Sequence, residues 1–172
     1  MTVVRSGARA ASPEETFRGM FAHHYGSVFG YCARRLGRDD AADATADVFA
    51  VAWRRIRRVP AEPMTLPWLY GVARNTVANA RRSAARRARL DVRVGEHAQY
   101  VWTDSSAVTE MDAVLDRLSD DDREVLMLVA WEGLGPADLG RVLGVSPSAA
   151  AVRLHRARSR LSAVWNDSGG AR

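Results

Sequence analysis

The stretch "GVSPSAAAVRLHRARSRL", residues 144–161, holds four arginines and no acid, while its leucines and alanines recur at helical spacing. On a helix, Ala150, Leu154, Ala157 and Leu161 fall on one narrow stripe that must face the rest of a domain. On the opposite side lie Ser148, Val152, His155 and Ser159, flanked by Ala151 and Arg156, with Arg153, Arg158 and Arg160 along the sides. Small neutral side chains bordered by guanidinium groups suit a DNA major groove. The small groups reach base edges and the arginines hold phosphates. A solvated basic helix in some other bundle is the plain alternative. The preceding "PADLGRVLGVSP" supplies a short helix and a Gly-containing turn, so the whole reads as a helix-turn-helix.

Two further stretches carry chemistry. In "TLPWLYGVARNTVANARRSAARRARL", Leu69, Ala73, Val77, Ala80 and Ala84 line a buried side, and Asn75, Asn79, Arg82 and Arg86 form a polar stripe at the same spacing. Amides can hydrogen-bond bases, guanidiniums bind phosphates, and Trp68 and Tyr70 offer stacking faces, a combination that suits opened, single-stranded nucleic acid. The bland reading puts Trp68 in the core and the arginines in solvent. In "DATADVFAVAWRRI" and the residues before it, Asp39, Asp40, Asp43 and Asp47 give an acidic front while Val48, Phe49, Ala52 and Ile56 can pack inward. Such a front either complements a helix dipole or docks a basic partner protein.

The elements that must position these residues are helical, with strand signals nearly absent. A first helix is expected over Pro13 to Leu36, stopped by Gly37. A second follows with Asp39 or Asp40 as cap and ends before Pro60 and Pro63. A third opens with Thr65 as cap and Pro67 in its first turn, and runs to about Arg89. Residues 91–108 show no sustained period and read as a linker. Beyond it come "TEMDAVLDRL", then "DDREVLMLVAWEG" with Ser119 and Asp122 resembling a capping box, then the helix-turn-helix. The expected fold is all-α: two small helical domains, 13–90 and 109–166, joined by a linker, the C-terminal one a helix-turn-helix. Residues 1–12 and 167–172 are expected to be tails.

Composition narrows the class. The chain has 172 residues and a formal net charge of +5, and all its basic residues are arginine. Arginine stays charged and forks onto phosphates, although a basic chain could equally meet an anionic membrane or an acidic protein. Cys32 is the only cysteine, which excludes an internal disulfide and a Cys-rich zinc site. The first residues lack the apolar core of a signal peptide and no run approaches a membrane span, so a cytoplasmic protein without membrane insertion is expected. His23 and His24 are neighbours that a helix points apart, poor metal ligands as a pair. With no phosphate-binding glycine loop and no Ser/His/Asp signature, no enzyme activity, metal or cofactor is expected.

Taken together, "DAADATADVFAVAWRRI", "LPWLYGVARN", "LDRLSDDDREVLMLVAWEGL" and "LGVSPSAAAVRLHRARSRL", in this order, resemble the extracytoplasmic-function (ECF) sigma factors of bacterial RNA polymerase. The resemblance covers about Phe17 to Trp165. It implies an N-terminal domain that clamps the polymerase β′ coiled coil and reads and melts the −10 element. It also implies a C-terminal domain that binds the β flap and reads the −35 element, and a common association with anti-sigma factors. By position, Asp43, Asp47, Phe49 and Trp53 match the polymerase-binding motif, and Trp68, Arg74, Asn75, Asn79 and Arg82 the −10 and melting segment. "RRVPAEPMT" matches the loop that holds a flipped-out base, and Ser148, Ala151, Val152, Arg153, His155 and Arg156 the −35 reading helix. Ala151 and Val152 depart from the basic and small polar residues frequent there. A stand-alone helix-turn-helix regulator is the rival reading; it would need neither the acidic docking helix nor the strand-capturing one.

Overall fold

The computed structural model describes residues 11–91 and 110–167. The expected linker, apart from Asp91 at the end of α3, and most of both expected tails lie outside the described residues. Among those described, helices follow one another without a strand: α1 (Pro13–Leu36), α2 (Arg38–Arg54), a 3-10 turn (Ile56–Arg58), α3 (Thr65–Asp91), α4 (Glu110–Asp116), α5 (Asp120–Ala130), α6 (Pro136–Leu143) and α7 (Pro147–Asp167). None of these helices is long and apolar enough to cross a membrane.

The start of α1 is set by a reciprocal cap. Glu15 N–H donates to the Ser12 hydroxyl at 3.2 Å, and Ser12 N–H donates to the Glu15 carboxylate at 2.8 Å. The buried stripe of α1 runs Met20, His24, Val28, Tyr31, Cys32 and Arg35, which is helical spacing with two polar members. Both polar members are answered from elsewhere in the chain: His24 by Glu62 and Arg35 by Glu124 and Glu132. Cys32 is fully buried, and burial pushes its thiol up, so it sits as a packed, unreactive group.

Two expected caps are placed differently. α1 and α2 meet directly at Gly37, so Asp39 and Asp40 fall inside the first turn of α2 and complement its dipole instead of capping it. Thr65 opens α3, but its hydroxyl donates to the Pro60 carbonyl at 2.8 Å, closing the preceding loop. Ser119 does cap α5, accepting from Asp122 N–H at 3.2 Å.

The two helical halves are packed on each other. Leu69, Ala73 and Val77 of α3 belong to the same apolar cluster as Leu139 and Val142 of α6 and Leu154 of α7. A Cβ on Gly71 of α3 would lie 3.9 Å from the Val142 carbonyl oxygen of α6. Around this seam the contact is charged. The Arg35 guanidinium reaches Glu124 at 2.7 Å and Glu132 at 3.1 Å, Arg34 reaches Glu132 at 3.0 Å, and the Tyr31 hydroxyl donates to Glu124 at 2.7 Å. Burial drives the Tyr31 phenol far above its ordinary pKa, so it remains a donor to that carboxylate.

Candidate nucleic-acid interface

α7 is built to present one face. Ala150 and Ala157 are fully buried and Leu154 nearly so, whereas Ser148, Ala151, Val152, Arg153, His155 and Arg156 are all exposed. Its entry angle is fixed by Ser146, whose hydroxyl accepts from Ala149 N–H at 3.2 Å, and by Pro147 in the first turn. The turn from α6 is tight. Gly144 sits at φ +67°, and a Cβ on Gly140 would approach the Val145 carbonyl to 2.9 Å, which leaves no room for a side chain. One of the arginines expected along the sides is engaged. Arg160 places one nitrogen 2.8 and 2.7 Å from the two Asp122 oxygens, bracing α7 on α5. Burial alone would raise the Asp122 carboxyl, but hydrogen bonds from Ser119 and Arg160 outweigh it and hold the group low.

α3 presents the second face. Asn75, Asn79 and Arg82 are exposed, with the Arg82 guanidinium donating to the Asn79 side chain and Arg86 donating to the Ser83 hydroxyl at 2.8 Å. Arg74 leans towards Asp121 of α5, 3.8 Å away, so part of this edge is shared with the second half of the chain. Trp68 is half-buried against the core. Tyr70 does not offer the stacking face expected of it: it is 4% exposed and packs on Tyr31 at 5.4 Å between ring centres, because it lies beside Leu69 on the inward side of α3. The stretch 57–65 runs from the 3-10 turn through a loop to the first residue of α3, and is closed by the Thr65–Pro60 bond and by Met64 N–H donating to the Ala61 carbonyl at 3.0 Å.

The α2 face holds Asp43 and Asp47 in the open, on one wall of a cleft whose other wall carries Asn79 and Arg87 of α3. Phe49 is 2% exposed, with Phe17, Phe21 and Tyr25 of α1 around its ring, and lies at the floor of an apolar groove, so it meets only what enters that groove. Trp53, 42% exposed, stands at the edge of that groove with its ring 5.2 Å from Phe17. Sequence reasoning missed the rings around Phe49, exposed Phe21 and Tyr25 and half-buried Phe17, although their four-residue spacing marks one helical face. Among the described residues no cluster of His, Cys, Asp and Glu could hold a metal ion.

Two family models match the chain: "Sigma-70 region 2" over residues 20–87 and "Sigma-70, region 4" over residues 109–161. The ECF RNA polymerase sigma factor SigD of Mycobacterium bovis is 32% identical over 150 residues, covering 78% of this chain and 69% of that protein. Among solved structures, CnrH in complex with the cytosolic domain of CnrY is similar with a TM-score of 0.59 and 26% identity, over 88% of each chain. The sigma factor RpoE in complex with the anti-sigma factor NepR from Bartonella quintana shares the fold, with a TM-score of 0.65 and 22% identity over 87% of this chain and 96% of that one. The match to region 2 spans α2 and α3, the helices a stand-alone helix-turn-helix regulator has no use for, and that rival reading is not favoured. The chain belongs to the sigma-70 family of RNA polymerase sigma factors, in its ECF class.

Proposed function

We propose that this sigma factor divides its task among the three faces described above. The α2 face, with Asp43, Asp47 and Trp53 beside the groove floored by Phe49, docks on the β′ coiled coil of core RNA polymerase. Trp68, Arg74, Asn75, Asn79 and Arg82 of α3, with the 57–65 loop, capture unpaired −10 bases. Ser148, Ala151, Val152, Arg153, His155 and Arg156 of α7 read the −35 element in the major groove, and the second half also meets the β flap. The matched halves 20–87 and 109–161 serve as region 2 and region 4 domains. The chain works by binding alone, in the cytoplasm, without a cofactor.

What supports this reading most is the exposure of two separate polar faces, on α3 and α7, each backed by a buried apolar stripe. CnrH, a sigma factor similar over most of this chain, is solved with the cytosolic domain of CnrY bound. By that likeness an anti-sigma factor is proposed as the regulator of this chain.

Pull-down of core polymerase followed by run-off transcription tests the assignment. Reversing both Asp43 and Asp47 to Arg should weaken core binding at least about tenfold, as lost interfacial charge pairs do, while the exposed positions leave the fold intact. Unchanged core affinity in the double variant removes α2 as the docking face.

A further inference from the structure

We infer that His24 is a positioning residue for promoter selection, acting through Glu62. His24 is only 3% exposed, on the inward stripe of α1 among Met20 and Val28, a place that otherwise takes apolar side chains. Its Nε2 lies 2.6 Å from the Glu62 carboxylate, which belongs to the loop between α2 and α3 and is itself 58% exposed on its side chain. At this distance the ring nitrogen and the carboxylate share one hydrogen between them. The bond spans 38 residues and ties the middle of the 57–65 loop to the body of the protein.

Val59, near the start of the loop, packs against the core, and the loop's other described hydrogen bonds are local. Thr65 bonds to Pro60 and Met64 to Ala61, closing the loop on itself. Glu62 adds a hydrogen bond from the middle of the loop to α1, and a buried imidazole is suited to receive it, because leaving its Nε2 unpaired in the core is costly. A loop held in its binding geometry beforehand loses less conformational freedom when it captures a ligand. It also discriminates better, because a wrong base cannot be accommodated by reshaping the backbone. The inference rests on the assignment of this loop to −10 base capture. It adds that selectivity there is set by a histidine outside the loop that touches no DNA.

The test uses the full chain, alone and as holoenzyme with core RNA polymerase, in the wild type and as H24L, H24Q, E62A and E62Q. Amide hydrogen exchange on the free chain reads the loop directly. E62A and H24L should raise exchange at the Met64 amide, which donates to the Ala61 carbonyl, about tenfold, and H24Q, which keeps a donor near the Nε2 position, should restore most of the protection. Selection of transcribed templates from a library randomised across the −10 element reads selectivity. E62A and H24L should flatten the preference at one −10 position while leaving the −35 preference and core affinity as in the wild type. H24Q and E62Q should retain that preference. A general loss of stability would not single out one base position, and rescue by H24Q separates positioning from packing.

Unchanged exchange in E62A overturns the positioning itself, whatever the promoter data. Raised exchange with an unaltered −10 preference overturns the inference about selectivity but leaves the sigma activity standing. A wild-type chain that gives no −10-dependent run-off overturns the loop assignment, and the inference with it.

Discussion

α3 and α7 both carry a buried stripe of small and branched residues and an opposite polar stripe, yet they are held in different ways. The polar stripe of α7 is exposed from Ser148 to Arg156 and owes its orientation to its own half of the chain: Ser146 and the Gly140–Gly144 turn at one end, and Asp122 gripping Arg160 at the other. α3 lies against the second half. Its inward side meets α6 at Gly71, and its Arg74 leans on Asp121. The face proposed for the −35 element is therefore oriented by braces within its own half, whereas the surroundings of the face proposed for the −10 element depend on how the halves sit together. The seam that joins them is charged and incompletely paired, since Arg34 Nε, one terminal Arg35 nitrogen and one Glu132 oxygen are buried without a partner. Such a junction is weak evidence for stability and is easily upset from one side.

The largest expected effect tests that dependence. Arg35→Ala removes the cation shared by Glu132, whose side chain is fully buried, and Glu124, 14% exposed, leaving Glu132 with Arg34 alone and Glu124 with the Tyr31 hydroxyl. It should lower stability by about 3–5 kcal/mol in chemical denaturation. Amide exchange should rise along α3 and α5 more than along the outer face of α7; equal rises on both helices would break the contrast.

Next comes Gly140→Ala, which presses a methyl group against the Val145 carbonyl. A cost of about 1–3 kcal/mol should fall on the helix-turn-helix, weakening binding to −35 duplexes while binding to a pre-opened −10 bubble persists. Loss of both activities together would mean that the halves are not separately built.

A smaller effect concerns how α7 reads DNA. Arg153→Ala should weaken binding to all −35 sequences alike and lower the salt slope by about one unit. Val152→Ser, on the outward stripe, should alter base preference more than affinity, because apolar contact to thymine methyls is replaced by a hydroxyl. Selection from a randomised −35 library checks both, and the reverse pattern would mean that the helix lies in the groove on a different face.

The smallest effect is pH-dependent. Asp122 is held below its ordinary value of 3.8, so its stabilisation is complete above that pH and fades as the pH falls through the lower folded value. Acid titration should show wild-type stability falling more steeply below pH 3.8 than that of Arg160→Ala, which has already lost part of the interaction. Parallel curves would show that this brace contributes nothing.

The legible part of this chain was its periodicity and its punctuation. Gly37, Pro60, Pro63 and Pro147 bound elements as breakers do, and Ala150, Leu154 and Ala157 bury as their spacing requires. For Phe49 the helical spacing with Val48, Ala52 and Ile56 already pointed inward, and only the family motif counted it as a contact. Tyr70, read as a stacking face, points inward as well, and its place beside Leu69 became decisive only once α1 was packed over it. The polar members of α1's inward stripe were invisible for a different reason. His24 and Arg35 look like surface residues until partners 38, 89 and 97 positions away are brought to them. Pairings at such separations leave no local trace in the sequence.

Gly71 has a practical consequence for anyone wishing to fix this protein in one shape. A methyl group there would rest in ordinary contact with the α6 backbone, 3.9 Å from the nearest atom, so alanine should be tolerated. A bulkier side chain directed at α6 would press on it. Position 71 is thus a place to try a wedge between the two halves without altering any residue assigned to polymerase or promoter. A graded series from Ala through Val to Trp would make the distance between the −10 and −35 faces an adjustable quantity, readable with a pair of fluorophores and comparable, step by step, with transcription.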